Sequence, residues 1–271
     1  MQELLNHPAV QSGLAPFVAG LVVAVVFKRL NLSGLALIAG FAATVYLASD
    51  FGFPPITSTR KIIWLGLGSA GIGLLMSFIR LSLFGLLLPV LGAGVSVWVA
   101  WRIFQHQPPQ TAVLWGAGCA AYVAVLVWAM DSLESDSVRS ASAATMLGFG
   151  TGGAALIGAS ALLGQLGLAL GSAAAAIALL QFIVGRTFAT GRVFTLPLAV
   201  IAGTIGCMAV LSAKLPWYAL PMLALIPVAA LGMPLPAKSL RIQSLLVALP
   251  GIALAAGAVF AAWHSAGDVP Y

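Results

Sequence analysis

Long apolar segments separated by short polar connections follow one another along this chain, each lasting about 18 to 22 residues. A helix needs about 20 residues to cross the hydrocarbon core of a bilayer. Because lipid offers the backbone no hydrogen-bond partner, a spanning segment is either a helix or part of a closed barrel. Barrel strands show about 10 residues of strict alternation, and no segment here does. The pattern predicts an all-α polytopic integral membrane helix bundle.

Ten membrane-spanning segments are predicted. They run over Ala9–Phe27, Leu32–Ser49, Ile62–Ile79, Leu81–Trp101, Thr111–Met130, Ala141–Leu162, Gln165–Gly185, Val193–Ser212, Leu215–Leu231 and Ile242–Trp263. The stretch Ala141–Gly185 contains no charged residue and is too long for one crossing at about 1.5 Å per residue. We divide it at Gly164–Gln165, although the sequence leaves open whether it forms two full spans.

An acidic segment, Asp131–Arg139, lies close to the middle of the chain and holds three of its six carboxylates. It divides the protein into residues 1–130, the linker 131–139 and residues 140–271, with five predicted helices in each half. An odd number of helices gives two related halves opposite orientations in the membrane. Secondary transporters built as inverted repeats have this plan, with a substrate site near the bilayer midplane. The sequence therefore suggests a 5+5 inverted repeat.

Spans one and six contain glycine and proline interruptions at corresponding positions. Such interruptions in the two halves of a transporter point to its binding site. The candidate substrate-pathway residues are Gly13, Pro16, Gly148, Gly150, Thr151, Gly152 and Gly153. If the run from Gly148 to Gly153 unwinds locally, its backbone becomes available to a substrate. The alternative is that these residues only pack helices, since glycine and proline are common in membrane helices.

Composition agrees with the membrane assignment: 61% of the residues are hydrophobic and 7% are charged, against about 25% charged in soluble domains. The basic residues stand in ones and twos at the ends of apolar segments, which is typical of topology signals and predicts no nucleic-acid partner. With the N-terminus outside, the inner loops would hold Lys28, Arg29, Arg80, Arg139, Arg186, Arg192, Lys238 and Arg241, and the outer loops Arg60, Lys61, Arg102 and Lys214. Basic loops stay cytoplasmic, so we expect a multi-pass inner-membrane protein with both termini outside.

Little catalytic chemistry is present in the sequence. No Asp, Glu, Lys, Arg or His falls in the middle of a predicted span, which argues against a proton pump or a haem protein, because both need such groups inside the bundle. Cys119 and Cys207 lack metal-type spacing and are interpreted as reduced packing residues. His7, His106 and His264 lie at span ends and are expected to be solvated. We predict no enzymatic activity, cofactor or metal.

Two functions remain open. The first is a small secondary transporter or exporter of an uncharged or weakly polar metabolite, with a midplane site between the halves. The second is a non-catalytic anchor or scaffold subunit, whose partners besides the lipid bilayer would be other membrane subunits or further copies of this chain. Ten short helices are similar in number and size to drug/metabolite transporters, but this is an analogy of architecture without a shared motif.

Overall fold

The computed structural model describes residues 7–49, 51–52, 56–78, 84–213, 215–235 and 239–267, without the side chain of residue 84. Ten helices follow one another along these residues. They are α1 Val10–Leu30, α2 Leu35–Ala48, α3 Ser58–Phe78, α4 Phe84–Phe104, α5 Pro109–Ser132, α6 Ser137–Gly158, α7 Ala161–Val184, α8 Arg192–Ser212, α9 Ala219–Gly232 and α10 Leu240–Ala266. Arg80, Lys214 and Lys238, used above in the charge comparison, lie outside the described residues.

Eight of these helices are long and apolar enough to cross a membrane, and the shorter apolar helices are α2 and α9, with 14 residues each. The described residues form no strand. Each helix corresponds to one of the ten segments predicted from the sequence. The all-α polytopic bundle is therefore confirmed, including two separate helices in the uncharged stretch after the acidic linker.

The turn between α6 and α7 lies about five residues before its predicted position at Gly164–Gln165. Helix α6 ends at Gly158, and α7 starts after Ser160, whose hydroxyl accepts a hydrogen bond from the Leu163 N–H at 3.2 Å. A serine in this position caps the otherwise unsatisfied amides of a helix N-terminus. Gly164 lies inside α7, where its α-carbon faces the backbone of α6 at Leu156. The prediction of this turn was wrong because the cap at Ser160 was not taken into account.

Successive helices run in opposite directions, and contacts between distant parts of the chain show which ends meet. Arg139, at the start of α6, donates from Nη2 to the Met233 carbonyl just after α9, at 2.7 Å. Arg241, at the start of α10, donates from Nε to the Phe182 carbonyl near the end of α7, at 3.0 Å. We call this side of the bundle, which carries the acidic linker, the linker end. The first and last helices therefore both have their outer termini at the opposite end.

The acidic linker is tied to α8 by ion pairs. Arg192, the first residue of α8, donates from Nε to Asp131 Oδ1 at 2.7 Å and from Nη2 to Asp131 Oδ2 at 3.2 Å. Its Nε also lies 2.8 Å from Glu134 Oε2. The Arg192 and Asp131 side chains are only 15% and 11% exposed. The last turn of α5 is thus held against the first turn of α8 by a largely buried charge pair.

Helix α8 forms the centre of the bundle, and nearly all of its residues are buried. It packs most closely along α3 and α5, with further contacts to α2, α4, α6 and α7. Since lipid does not drive helices together as water does, the approach depends on small residues at the contacts. One example is Gly66 of α3, where an added Cβ would lie 2.6 Å from the Ile201 side chain of α8.

The closest contact between two helices joins α6 to α7 through glycines on both. A Cβ added at Gly148 would overlap the backbone of Gly171, and one added at Gly152 would overlap the backbone of Leu168. From the other side, a Cβ at Gly167 would lie 2.6 Å from the Gly152 Cα. The two backbones therefore touch directly, as in small-residue helix pairs of membrane proteins.

The two halves of the chain pack differently. Helix α6 packs against α7, α8, α9 and α10, whereas its counterpart α1 packs mainly against α2 and α7. Helix α10 lies along α6 and α9, while its counterpart α5 lies along α4 and α8. The inverted repeat therefore stays a prediction that gains no support from the helix packing.

We predict that Gly148→Ala destabilises the protein, because its methyl group must push α6 and α7 apart. Overpacking of this kind costs about 1–3 kcal/mol, which lowers the melting temperature in detergent, measured by loss of monodisperse protein after heating. The matched control is Gly71→Ala in α3, where an added Cβ meets nothing within 4 Å. Replacing a helix-interior glycine by alanine there stabilises by up to about 1 kcal/mol. Equal melting temperatures of the two variants would contradict the direct backbone contact.

We also predict that Asp131→Asn lowers the melting temperature more than Glu134→Gln. The first change removes the bidentate partner of Arg192, at a cost of about 1–3 kcal/mol for a buried hydrogen bond to a charged group. The Glu134 side chain is 35% exposed, so water compensates for more of its loss. If Glu134→Gln proves the more damaging change, Asp131 is not the residue that holds α5 to α8.

Candidate functional site

A cavity of about 640 Å³ lies between α5 and α9. Its α5 wall is formed by Leu114, Trp115, Gly118, Cys119, Ala121, Tyr122 and Val125, and its other wall by Trp217, Leu220, Pro221 and Ala224. No acidic or basic side chain is among them. The cavity is therefore a mostly apolar site, whose lining residues carry one hydroxyl, one thiol and two indole N–H groups.

The sequences of α5 and α9 explain why they leave this space. A Cβ added at Gly118 would meet nothing within 4 Å, so the middle of α5 has little side-chain volume on this face. Helix α9 has Pro221 near its start and Pro227 inside it, and neither proline has an N–H to donate. Helix α5 packs more extensively on α4 and α8 than on α9. The two helices therefore stand apart, and the small residues Gly118 and Ala121 leave space between the larger side chains of the walls.

The outer rim of the cavity is exposed. Leu114 is 72% exposed and Trp217 is 62% exposed, and Val125 is also exposed. Exposed apolar residues on a membrane helix face the lipid chains. The cavity is thus open sideways to the bilayer, and an apolar molecule dissolved in the membrane could enter it.

The inner wall of the cavity joins α5 to α8 through a small group of polar atoms. Cys207 of α8 donates from Sγ to the Cys119 carbonyl at 3.8 Å, and both cysteines are free and buried, as predicted. The Tyr122 hydroxyl is buried without a hydrogen-bond partner, and a Cβ added at Gly206 of α8 would lie 3.0 Å from it. The hydroxyl is thus enclosed against α8, and Tyr122 lines the cavity with its ring.

The predicted interruption of the first helix is present in the structure. Residues Val10–Leu14 form a π-helical turn, in which the Ala15 N–H donates to the Val10 carbonyl, five residues earlier. Pro16 has no N–H and deprives a second carbonyl of its usual donor. A Cβ added at Gly13 would meet nothing within 4 Å. This end of α1 is therefore irregular at the positions that the sequence singled out.

Side chains from neighbouring helices replace the missing donors. Thr44 of α2 donates from Oγ1 to the Gln11 carbonyl at 2.6 Å, and Ser172 of α7 donates from Oγ to the Ser12 carbonyl at 3.1 Å. In a regular helix the Gln11 carbonyl would accept from Ala15 and the Ser12 carbonyl from residue 16. The π turn redirects the first donor to Val10, and Pro16 lacks the second. The irregular turn thus joins α1 to α2 and α7, and these hydrogen bonds account for it without a substrate.

The corresponding run in span six is helical throughout, so of the two alternatives left open for Gly148 to Gly153, local unwinding is not found. Gly148 and Gly152 face α7, as described above. An added Cβ at Gly150 would lie 2.9 Å from Leu223 of α9, and one at Gly153 would lie 2.9 Å from Val259 of α10. The glycines thus let α6 pack against α7 on one side and against α9 and α10 on the other. Such packing does not require the helix to unwind.

The predicted pathway residues of spans one and six do not form one site. Helix α7 lies between them, packing on α1 and α2 on one side and on α6 on the other. Gly13 and Pro16 therefore face different neighbours from those of Gly150 and Gly153. Thr151 is buried, and its hydroxyl has no hydrogen-bond partner. The role of the residues of spans one and six as a substrate pathway stays a prediction.

Sequence reasoning missed most of the cavity. Nothing in the sequence pattern set Tyr122, Trp115 or Trp217 apart from the other polar and aromatic residues of the spans. The sequence feature that could have indicated a cavity beside α5 is the run of small residues around Gly118. It was not decisive, because similar runs in α6 are closely packed.

The histidines lie at helix ends, as predicted. His106 donates from Nδ1 to the Arg102 carbonyl at 2.7 Å, and the His264 ring stacks on Phe260 with 6.2 Å between centroids. His7 lies just before α1. Within the described ranges, no group of three or more His, Cys, Asp or Glu side chains is placed to hold a metal ion.

Comparison with known proteins does not assign this protein to a family. No family model matches the chain, and no curated protein matches it significantly.

Proposed function

We propose that this protein is a non-enzymatic membrane transporter for an uncharged or weakly polar, largely apolar molecule that binds between α5 and α9. The observation that supports this most is the 640 Å³ cavity. Pockets for small molecules commonly have volumes of about 300–1,000 Å³, mostly apolar walls and a few polar groups that orient the ligand. The cavity between α5 and α9 has such a volume and mostly apolar walls.

The walls of the cavity favour an uncharged ligand. No ionisable side chain other than Tyr122 and Cys119 lines the space, and an unpaired charge is costly in an apolar environment. Since the walls carry no acidic or basic side chain and are mostly apolar, an uncharged, largely apolar molecule fits this site best.

The position of the cavity agrees with a site between the two halves of the chain. Helix α5 is the last helix of the first half of the chain and α9 belongs to the second half, so movement of one half against the other would widen or narrow the space. In this proposal α5 and α9 replace spans one and six as the helices that hold the substrate. The linker end, with the larger share of basic residues, faces the cytoplasm of an inner membrane, and both termini face outside.

A second candidate, a non-catalytic scaffold subunit, is favoured by the filled centre of the bundle. Helix α8 is enclosed by six neighbours, and the described residues around it pack as one apolar core. A scaffold needs no path across the membrane. Partners would then bind the lipid-facing surfaces.

We predict that Gly118→Leu abolishes ligand binding, because the new side chain occupies the cavity without striking a neighbour. Protein purified from its native membranes in a mild detergent would be extracted, and its bound small molecules identified by mass spectrometry. We expect the wild type to retain an apolar molecule that Gly118→Leu loses. Once identified, this molecule can be tested for transport in proteoliposomes.

The control for this experiment is Gly94→Leu in α4, where an added Cβ also meets nothing within 4 Å but does not line the cavity. Both variants replace an exposed helix glycine by leucine, so their effects on helix propensity are the same. Retention of the same molecule by Gly118→Leu would contradict the proposed site.

Co-purification separates the two candidate functions. A transporter that acts alone should elute by itself or with further copies of itself, whereas a scaffold subunit should bring other proteins in fixed stoichiometry. The protein would be purified from native membranes and the co-eluting proteins quantified by mass spectrometry. A fixed partner that remains with Gly118→Leu would favour the scaffold and count against the transporter.

A further inference from the structure

A second, narrower groove lies on the other side of the α4–α5 pair. It has a volume of about 240 Å³ and runs between α3 and α4, with Leu196 and Val200 of α8 as its floor. Trp64, Gly68 and Ile72 form one wall, and Leu91, Val95 and Trp98 form the other. Helices α3 and α4 make few direct contacts. The groove is therefore a gap on the surface of the bundle, lined by apolar and aromatic residues and by Ser69.

One end of this groove carries positive charge. Lys61, in the first turn of α3, donates from Nζ to the Trp98 carbonyl at 2.9 Å, and its ammonium lies 4.5 Å from the centroid of the Trp98 ring. Arg102 lies four residues beyond Trp98, so both are on the same face of α4. Lys61 and Arg102, one from α3 and one from α4, therefore both lie at the end of the bundle away from the acidic linker.

Among the described carboxylates, none lies at this end of the bundle. Asp131, Glu134 and Asp136 all lie at the linker end, across the membrane from Lys61. The Lys61 side chain is buried, and an ammonium has three donors, one of which bonds to the Trp98 carbonyl. A partly buried cation beside an apolar groove is stabilised by an anion that brings its own apolar chain.

The dimensions of the groove match one lipid chain. From Lys61 to Ile72 the helix rises about 16 Å, roughly half of the 30 Å hydrocarbon core and thus one leaflet. Its volume is below the range of about 300–1,000 Å³ typical for drug-sized molecules, which suits a single extended chain. We propose that this groove binds one anionic phospholipid, with its phosphate at Lys61 and Arg102 and an acyl chain between α3 and α4. This site is separate from the α5–α9 cavity and does not depend on its function.

Native mass spectrometry of the detergent-purified protein tests the charged end of the site. The protein would be titrated with palmitoyl-oleoyl phosphatidylglycerol and, separately, with the phosphatidylcholine of the same chains. We expect one phosphatidylglycerol to bind more tightly than phosphatidylcholine, and Lys61→Gln and Arg102→Gln each to weaken it roughly tenfold, as expected for a lost hydrogen bond to a charged group. The matched controls Lys28→Gln and Arg29→Gln, at the linker end, should leave it unchanged. Equal binding of the two lipids, or equal effects at both ends, would overturn the proposal.

A pair of glycine variants tests the apolar part of the site. Added Cβ atoms at Gly68 and Gly71 of α3 both meet nothing within 4 Å, but only Gly68 lines the groove. We expect Gly68→Leu to displace the tightly bound phosphatidylglycerol and Gly71→Leu to retain it. If both variants retain it, the acyl chain does not lie in the groove. Because neither change touches the α5–α9 cavity, a negative result here leaves the transporter proposal standing.

Discussion

Direct contact between helix backbones is the interaction on which this bundle depends. Lipid chains are as apolar as leucine, so helices in a membrane gain little from burying apolar side chains against each other. Close approach of two backbones replaces that driving force, and it requires glycine or alanine at the contact. In this protein α7 is held by such contacts on two sides: Gly148 and Gly152 of α6 on one, and Gly20 and Gly40 near Ala173 on the other.

The same residue type also accounts for the gaps in the bundle. Where a glycine faces another backbone, as at Gly148, two helices touch. Where it faces no partner, as at Gly68 and Gly118, the missing side chain leaves a recess open to lipid. Both recesses flank the α4–α5 pair. Whether a glycine brings two helices into contact or leaves a space therefore depends on the helix that it faces. This explains how a glycine-rich chain forms a filled core, the α5–α9 cavity and the α3–α4 groove.

Segment length and the position of polar connections predicted all ten helices, because the thickness of a bilayer sets the length of a span. The sequence also indicated an irregular first helix, since Pro16 necessarily removes a backbone donor. It did not show that α7 separates α1 from α6, because neighbours in a bundle are chosen by surface fit and not by order along the chain. The cavity beside Tyr122 was beyond prediction for the same reason, as it requires knowing how far α5 and α9 stand apart.

The position of α7 between α1, α2 and α6 has a consequence for biosynthesis. Roughly 50 residues separate the end of α5 from the end of α7, which is about 3–10 s of translation at about 5–20 residues per second. During that interval the first five helices are already made, but the surface of α1 and α2 that receives α7 still faces lipid or the insertion machinery. Helix α8, on which α3, α4 and α5 all pack, emerges later still. The amino-terminal helices must therefore wait in the membrane as an open, incompletely packed assembly until the second half of the chain arrives to complete it.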